Sequence, residues 1–207
     1  MLTASSRPRP SAVLWDLGGV LVRMDWHSAS VYWEPRLGLQ EGDLLRCLFG
    51  GNDDTVLVGR VTEDEWWHVV ARRLGAASHD VQALRADLRR REALDHELLQ
   101  VVRDLRRSAR QAVLSNAWGG ARERLRRMEV DRLFDEIVIS AEVGVAKPAP
   151  RIFQIAWDRL RLSPSDCAFI DDTLENVEAA AALGIRGHVH RSSRCTAAWL
   201  RASFGVP

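Results

Sequence analysis

A chain of 207 residues with a formal net charge of +1 is long enough for one well-buried domain carrying a modest insertion. Hydrophobic content of 46% and charged content of 28% are those of a globular protein, and the near-neutral balance argues against a nucleic-acid or membrane-surface partner. Three scattered cysteines, Cys47, Cys167 and Cys195, form no CxxC or Cys/His cluster, which argues against zinc or a disulfide framework and fits a reduced, cytoplasmic compartment.

Met1 to Pro10 reads as a loose tail, because its arginines are followed by no long apolar run: Ala12 to Trp15 stops at Asp16. No later segment reaches the roughly 18 apolar residues that span a membrane. Ala12-Val13-Leu14-Trp15 has the length of a buried strand. Almost a hundred residues separate it from the next such run, and they read as helical: Ser28 to Leu37, Asp43 to Phe49, Thr62 to Leu74, Ser78 to Arg91 and Asp95 to Arg107. One parallel crossover needs one helix, so most of this stretch is an insertion. The expected division is a core of residues 11–24 and 94–207 and a helical cap of residues 25–93, with Asp95 to Arg107 as the crossover helix. Further apolar runs follow at Ala112–Leu114, Ile137–Ile139, Ala168–Ile170 and Arg186–Val189. Helical patterns separate them at Ala121–Met128, Ile152–Leu160 and Leu174–Leu183. Alternating strand and helix predicts an α/β fold, a Rossmann-like parallel sheet covered on both faces. The arginine runs at 89–91 and 122–127 are interleaved with other residue types and read as solvated helix faces.

In an open parallel sheet, functional groups gather at the carboxyl ends of the strands. Those ends carry Asp16, Ser115-Asn116, Ser140 with Lys147 beyond it, and Asp171-Asp172. Asp16 breaks an apolar strand and precedes Gly18-Gly19, which is how a turn begins and also how a nucleophile is presented on a rigid strand end. Ser115 and the turn after it are placed either to bind phosphate oxygens or to cap a helix. Lys147 is the sole lysine among 29 basic residues, held in Ala-Lys-Pro-Ala-Pro. A compact ammonium there can neutralise a carboxylate and a phosphoryl group together. The adjacent acids Asp171 and Asp172 repel unless a cation or a helix N-terminus compensates, and magnesium is the hard cation such oxygen ligands suit. Asn176 lies four residues further on, in reach of a supporting role.

With these residues in place the chain resembles the haloacid dehalogenase-like hydrolase superfamily from Val13 to Val189. Asp16 matches the nucleophile of the first motif, Ser115 the second, Lys147 the third and Asp171-Asp172 the acidic fourth. The helical insertion resembles the family's cap. The resemblance implies a magnesium-dependent phosphatase acting on a small phosphorylated substrate through an aspartyl-phosphate on Asp16. It implies catalysis by Asp16, Ser115 and Lys147, and substrate binding by Ser115, Asn116 and Lys147. Magnesium would then be held by Asp16, the Gly18 carbonyl, Asp171 and Asp172. One departure stands out: many family phosphatases carry a second acid where this chain has Gly18. The Asp-x-Gly pattern resembles a sugar-phosphate phosphatase subgroup. It favours leaving groups that need little protonation, unless Asp25, His27 or His68 in the cap supplies the proton. Trp26, Trp33, Trp66 and Trp67 are expected chiefly in the cap core. Two other readings remain open at this point: a metal-free 2-haloacid dehalogenase, which the acidic pair argues against, and a phosphate-binding regulatory relative with little turnover.

Overall fold

The computed structural model describes residues 9–50 and 55–205; most of the expected tail, residues 1–8, lies outside the described residues, as do residues 51–54 and 206–207. Among the described residues, seven strands form two sheets. The main one comprises β1 (Ala12–Trp15), β4 (Arg110–Ser115), β5 (Glu136–Ile139), β6 (Cys167–Asp171) and β7 (Arg186–Val189), in the order β5-β4-β1-β6-β7. All four pairings are parallel.

Both faces of this sheet are covered, and the pleat sorts its side chains. Val13 and Trp15 of β1 enter one hydrophobic layer, with α5 (His96–Leu105), α6 (Ala121–Arg127) and α10 (Ser193–Phe204). Ala12 and Leu14 enter the other, with α8 (Pro150–Leu160) and α9 (Leu174–Ala182). Burial on both sides explains why these strands read as continuous apolar runs rather than as alternating ones. Inside the first layer, Trp15 Nε1 donates to Gln111 Oε1 at 2.9 Å, so the one polar atom of that indole is satisfied.

The five expected strands are all present, and so are the helices expected between the later ones. The long interval after β1 is also helical. It contains α1 (Trp26–Trp33), α2 (Asp43–Phe49), α3 (Glu63–Leu74) and α4 (Ser78–Arg91), which share a hydrophobic cluster of their own. Trp33, Trp66 and Trp67 are buried in it and Trp26 packs against it. α3 begins with a capping box, Thr62 accepting from the Glu65 N–H while Glu65 accepts from the Thr62 N–H. α1 starts two residues before the expected Ser28, because Asp25 caps it by accepting from the Ser28 N–H.

Besides two single-turn 3-10 helices, Asp131–Leu133 and Pro164–Asp166, four elements went unanticipated. β2 (Val22–Met24) and β3 (Glu92–Leu94) pair antiparallel at the two ends of the insertion, forming a short ribbon outside the main sheet. Each has three residues, too few to show a period. α7 (Ser140–Val143) is a single turn after β5. α10 packs Thr196, Ala197, Leu200 and Phe204 inward at helical spacing; it lies beyond Val189, where the expected elements end. No helix among the described residues is long and apolar enough to cross a membrane.

Candidate active site

The strand register assembles the site. β1 pairs with β6 so that Trp15 faces Ile170, and the Asp16 N–H continues the ladder to the Ile170 carbonyl at 2.9 Å. The residues just beyond, Asp16 and Asp171, therefore come side by side at the carboxyl edge. On the other flank Trp15 faces Val113, which brings the end of β4, and Ser115 with it, to the same edge. Carboxylate oxygens of Asp16, Asp171 and Asp172 lie within 4.8 Å of one another.

Lys147 reaches into this group. Its side chain is 1% exposed, and its ammonium lies 2.9 Å from Asp16 Oδ1 and 2.6 Å from Asp171 Oδ2. The same ammonium is 5.5 Å from the Phe169 ring centroid. Burial works against the charged amine, yet the carboxylates of Asp16 and Asp171 outweigh it and raise its pKa, so Lys147 stays an ammonium. For Asp16, burial raises the pKa and the neighbouring Asp171 adds to it, against the opposing pull of Lys147.

Each of these side chains is held in turn. Asp171 accepts at Oδ1 from the Thr173 N–H, 2.8 Å, and at both oxygens from Asn176 Nδ2, 3.2 Å each. Asn176 thus has the supporting role expected of it. The Leu17 N–H donates to Asp16 Oδ1 at 2.8 Å. With Lys147 on the same atom, Asp16 Oδ2 has no hydrogen-bond partner among the described residues. Ser115 is 2% exposed, and its hydroxyl likewise has no partner among them, which leaves it available to a ligand oxygen. Asn116 was expected among the substrate-binding groups, but its amide is engaged elsewhere. Nδ2 donates to the Lys147 carbonyl at 2.9 Å, and Oδ1 accepts from the Lys147 N–H at 2.8 Å. The side chain therefore positions the lysine loop, a role its place before a glycine turn did not reveal.

The two glycines differ. A Cβ at Gly19 would lie 2.2 Å from Asp172 Oδ2, and its φ is +75°, so glycine lets the acid after β6 approach the turn after β1 undisturbed. At Gly18 a Cβ would meet nothing within 4 Å, and the backbone is not left-handed there. The position beside Asp16 is open space.

None of the three candidate proton donors joins the carboxylate cluster. Asp25 is engaged as the α1 cap, and hydrogen bonds from Ser28 hold its carboxyl below the ordinary range, hence ionised at neutral pH. His27 and His68 are exposed, and His68 Nδ1 donates to the Asp64 carbonyl at 2.8 Å.

The donor set suits a hard divalent cation. Three carboxyl groups face a single ammonium in a largely buried site, and all the side-chain donors are oxygens. Asp16 Oδ2 and the exposed Asp172 carboxylate are the oxygens least committed to protein partners.

The family model for haloacid dehalogenase-like hydrolases matches residues 10–184. Over 86% of its length the chain is 29% identical to the phosphatase MT3486 of Mycobacterium tuberculosis (strain CDC 1551 / Oshkosh), covering 86% of that protein. It is 30% identical to mouse (Mus musculus) acyl-CoA dehydrogenase family member 10 over 84% of its own length but only 17% of the larger protein. The chain spans less than half the length of the first four curated relatives it matches. Among solved structures, the HAD family enzyme bt-2542 of Bacteroides thetaiotaomicron, in complex with magnesium and inorganic phosphate, superposes with a TM-score of 0.68 at 21% identity. That match covers 88% of this chain and 94% of the other. That likeness is one of fold. Taken with the family match, it gives the result that this chain belongs to the haloacid dehalogenase-like hydrolases.

Proposed function

We propose that the protein is a magnesium-dependent phosphatase for small phosphate monoesters, with Asp16 as the nucleophile. The observation that carries this reading is the buried Lys147 ammonium lying between Asp16 and Asp171, with Asp172 completing the carboxylate group. Asp16 offers its unpartnered Oδ2 to the phosphorus in line with the ester oxygen; the new O–P bond forms as the bond to the leaving oxygen breaks. Lys147 orients Asp16 through Oδ1, draws its pKa down against the effect of burial, and supplies a fixed positive charge beside the transferring group. Ser115 donates its free hydroxyl to a phosphoryl oxygen. Asp16, the Gly18 carbonyl, Asp171 and Asp172 are the groups that would hold magnesium, which when bound neutralises charge on the phosphoryl oxygens. Water then attacks the aspartyl-phosphate, releasing inorganic phosphate and restoring Asp16.

Gly18 shapes the substrate class. With no acid beside the nucleophile, the leaving oxygen departs with little protonation, which favours good leaving groups such as anomeric sugar phosphates. Residues 25–93 act as a cap over the site, hinged at the β2–β3 ribbon. The acidic pair speaks against a metal-free dehalogenase, since two neighbouring carboxylates are costly unless a cation joins them.

The test is a screen of sugar, nucleotide and small organic phosphates with magnesium, with chelator, and with Asp16→Ala. The expected result is activity that requires both the metal and Asp16. Hydrolysis by Asp16→Ala at the wild-type rate, or halide release from a haloacid in the presence of chelator, would replace this reading.

A further inference from the structure

The loop after β4 is gripped from two sides. From the core, Ser140 Oγ accepts from the Ala117 N–H at 3.0 Å, and the Ala141 N–H reaches the Ala117 carbonyl at 3.4 Å. From the helical insertion, three contacts fall on the same ledge. The Trp118 ring meets the Trp67 ring edge-on, centroids 5.9 Å apart, and packs against the insertion's own hydrophobic cluster. Glu63 lies against Gly120, where a Cβ would sit 3.3 Å from its Oε2. Gly59 lies so close to Ala141 that a Cβ would come within 2.2 Å of the Ala141 carbonyl oxygen. The insertion side of this contact is itself stiff. Glu63 Oε1 accepts from Trp67 Nε1 at 3.3 Å, Arg85 Nε at 3.1 Å and Arg89 at 2.8 Å.

Inside the core, the gripped loop runs straight to the phosphate-handling groups. Ser115 lies three residues before Trp118, and Asn116, two residues before it, clamps both backbone groups of Lys147. An aromatic ring in a glycine-flanked loop is anchored in the cap rather than in the core that bears the loop.

We propose that Trp118 is a positioning residue, a latch through which docking of the helical insertion fixes Ser115 and, by way of Asn116, Lys147. Closing the insertion seats Trp118 against Trp67. Releasing it frees the Ala117–Gly120 turn and loosens the amide clamp on Lys147. The serine and lysine are then in catalytic register only while the insertion is docked, which ties substrate enclosure to readiness for chemistry. The consequence for turnover rests on the phosphatase reading; the mechanical coupling does not.

The coupling is read by hydrogen exchange in the substrate-free protein, at three amides: Lys147 (bonded to Asn116 Oδ1), Ala117 (to Ser140 Oγ) and Ala141 (to the Ala117 carbonyl). The variants are Trp67→Ala and Gly59→Ala, both in the insertion and neither touching Lys147. The expected result is at least tenfold faster exchange at Lys147 and Ala117, with the β1 and β6 ladder amides unchanged. Acceleration confined to the insertion overturns the proposal. Where Trp67→Ala does not fold, Trp67→Leu carries the same measurement. A second readout uses p-nitrophenyl phosphate with magnesium: Trp118→Ala weakens inhibition by inorganic phosphate at least fivefold and Trp118→Phe restores it. Unchanged phosphate affinity in Trp118→Ala also overturns the latch. A wild-type protein that hydrolyses no phosphate ester removes the phosphatase reading and leaves the exchange result to decide the latch by itself.

Discussion

At the scale of single residues, the adjacent glycines carry opposite messages. Gly19 has a left-handed φ of +75° and a Cβ there would push on the Asp172 carboxylate, whereas Gly18 occupies a position with room for a side chain. Gly18→Asp should therefore fold and place a carboxyl beside Asp16. General acid–base assistance is worth about 10² to 10⁴ in rate, so hydrolysis of alkyl phosphates should rise at least tenfold while aryl phosphates, whose leaving groups need no proton, change little. Equal effects on both classes, in a leaving-group series, would refute the account of Gly18. Gly19→Ala should displace Asp172 and weaken magnesium activation by about tenfold or more, measured as the shift in metal concentration at half activity; an unshifted curve would contradict the contact. Much of this residue-level site was legible. Strand-end logic located Asp16, Ser115, Asp171 and Asp172, and rarity singled out Lys147. The clamp of Asn116 on Lys147 was not, because residues 31 positions apart meet only once the sheet is assembled.

At the scale of elements, periodicity worked where burial is regular. The runs in β1, β4, β5 and β6 are apolar because both faces are covered, whereas the edge strand β7 is only partly buried; long helices such as α3 and α8 announce themselves by caps and spacing. It failed for the three-residue strands β2 and β3, too short to show a period, and was not carried past Val189 to α10. These elements are nevertheless tied together at Asp95. Its carboxylate caps α5 by accepting from the Leu98 N–H at 3.0 Å, accepts from Ser193 Oγ of α10 at 2.6 Å, and pairs with Arg23 of β2 at 3.5 Å. Burial works to raise its pKa, but the Ser193 and Leu98 hydrogen bonds, with Arg23, outweigh it and hold the carboxyl below its ordinary value. A group lowered in the folded state contributes stability that is fully present above its unfolded pKa, about 4, and lost as pH falls through the folded one. Asp95→Asn keeps a capping oxygen and removes the charge. The variant should be less stable by about 1–2 kcal/mol at pH 6 in urea unfolding, with the difference from wild type shrinking towards pH 3. A difference that grows on acidification would reverse the assignment.

At the scale of the whole molecule, the sheet supplies a rigid edge, and the insertion is proposed to cover it. The core concentrates three carboxylates at that edge against one ammonium, so ligation of a cation there would be linked to folding. Magnesium at about 100 times its dissociation constant should stabilise the native protein by roughly 2.7 kcal/mol, seen as a rise in thermal midpoint. Asp172→Asn, at an exposed site outside the Lys147 ion pairs, should abolish most of that rise without lowering the midpoint of the metal-free protein. A full magnesium response in that variant would show that Asp172 is not a ligand. The parallel core and the helical nature of the insertion could both be read from the chain. Its docking on the Trp118 loop could not, since the pattern that buries Trp67 is the same whether its partner lies in the insertion or in the core.

The central claim is that the phosphoryl group passes through Asp16. A single turnover with a radiolabelled sugar phosphate and magnesium, quenched in acid and mapped by peptide, tests it most directly. The account predicts label on the peptide containing Asp16, labile to hydroxylamine and absent when chelator is added. Phosphate released with no labelled protein at any quench time, or label on another side chain, would contradict it.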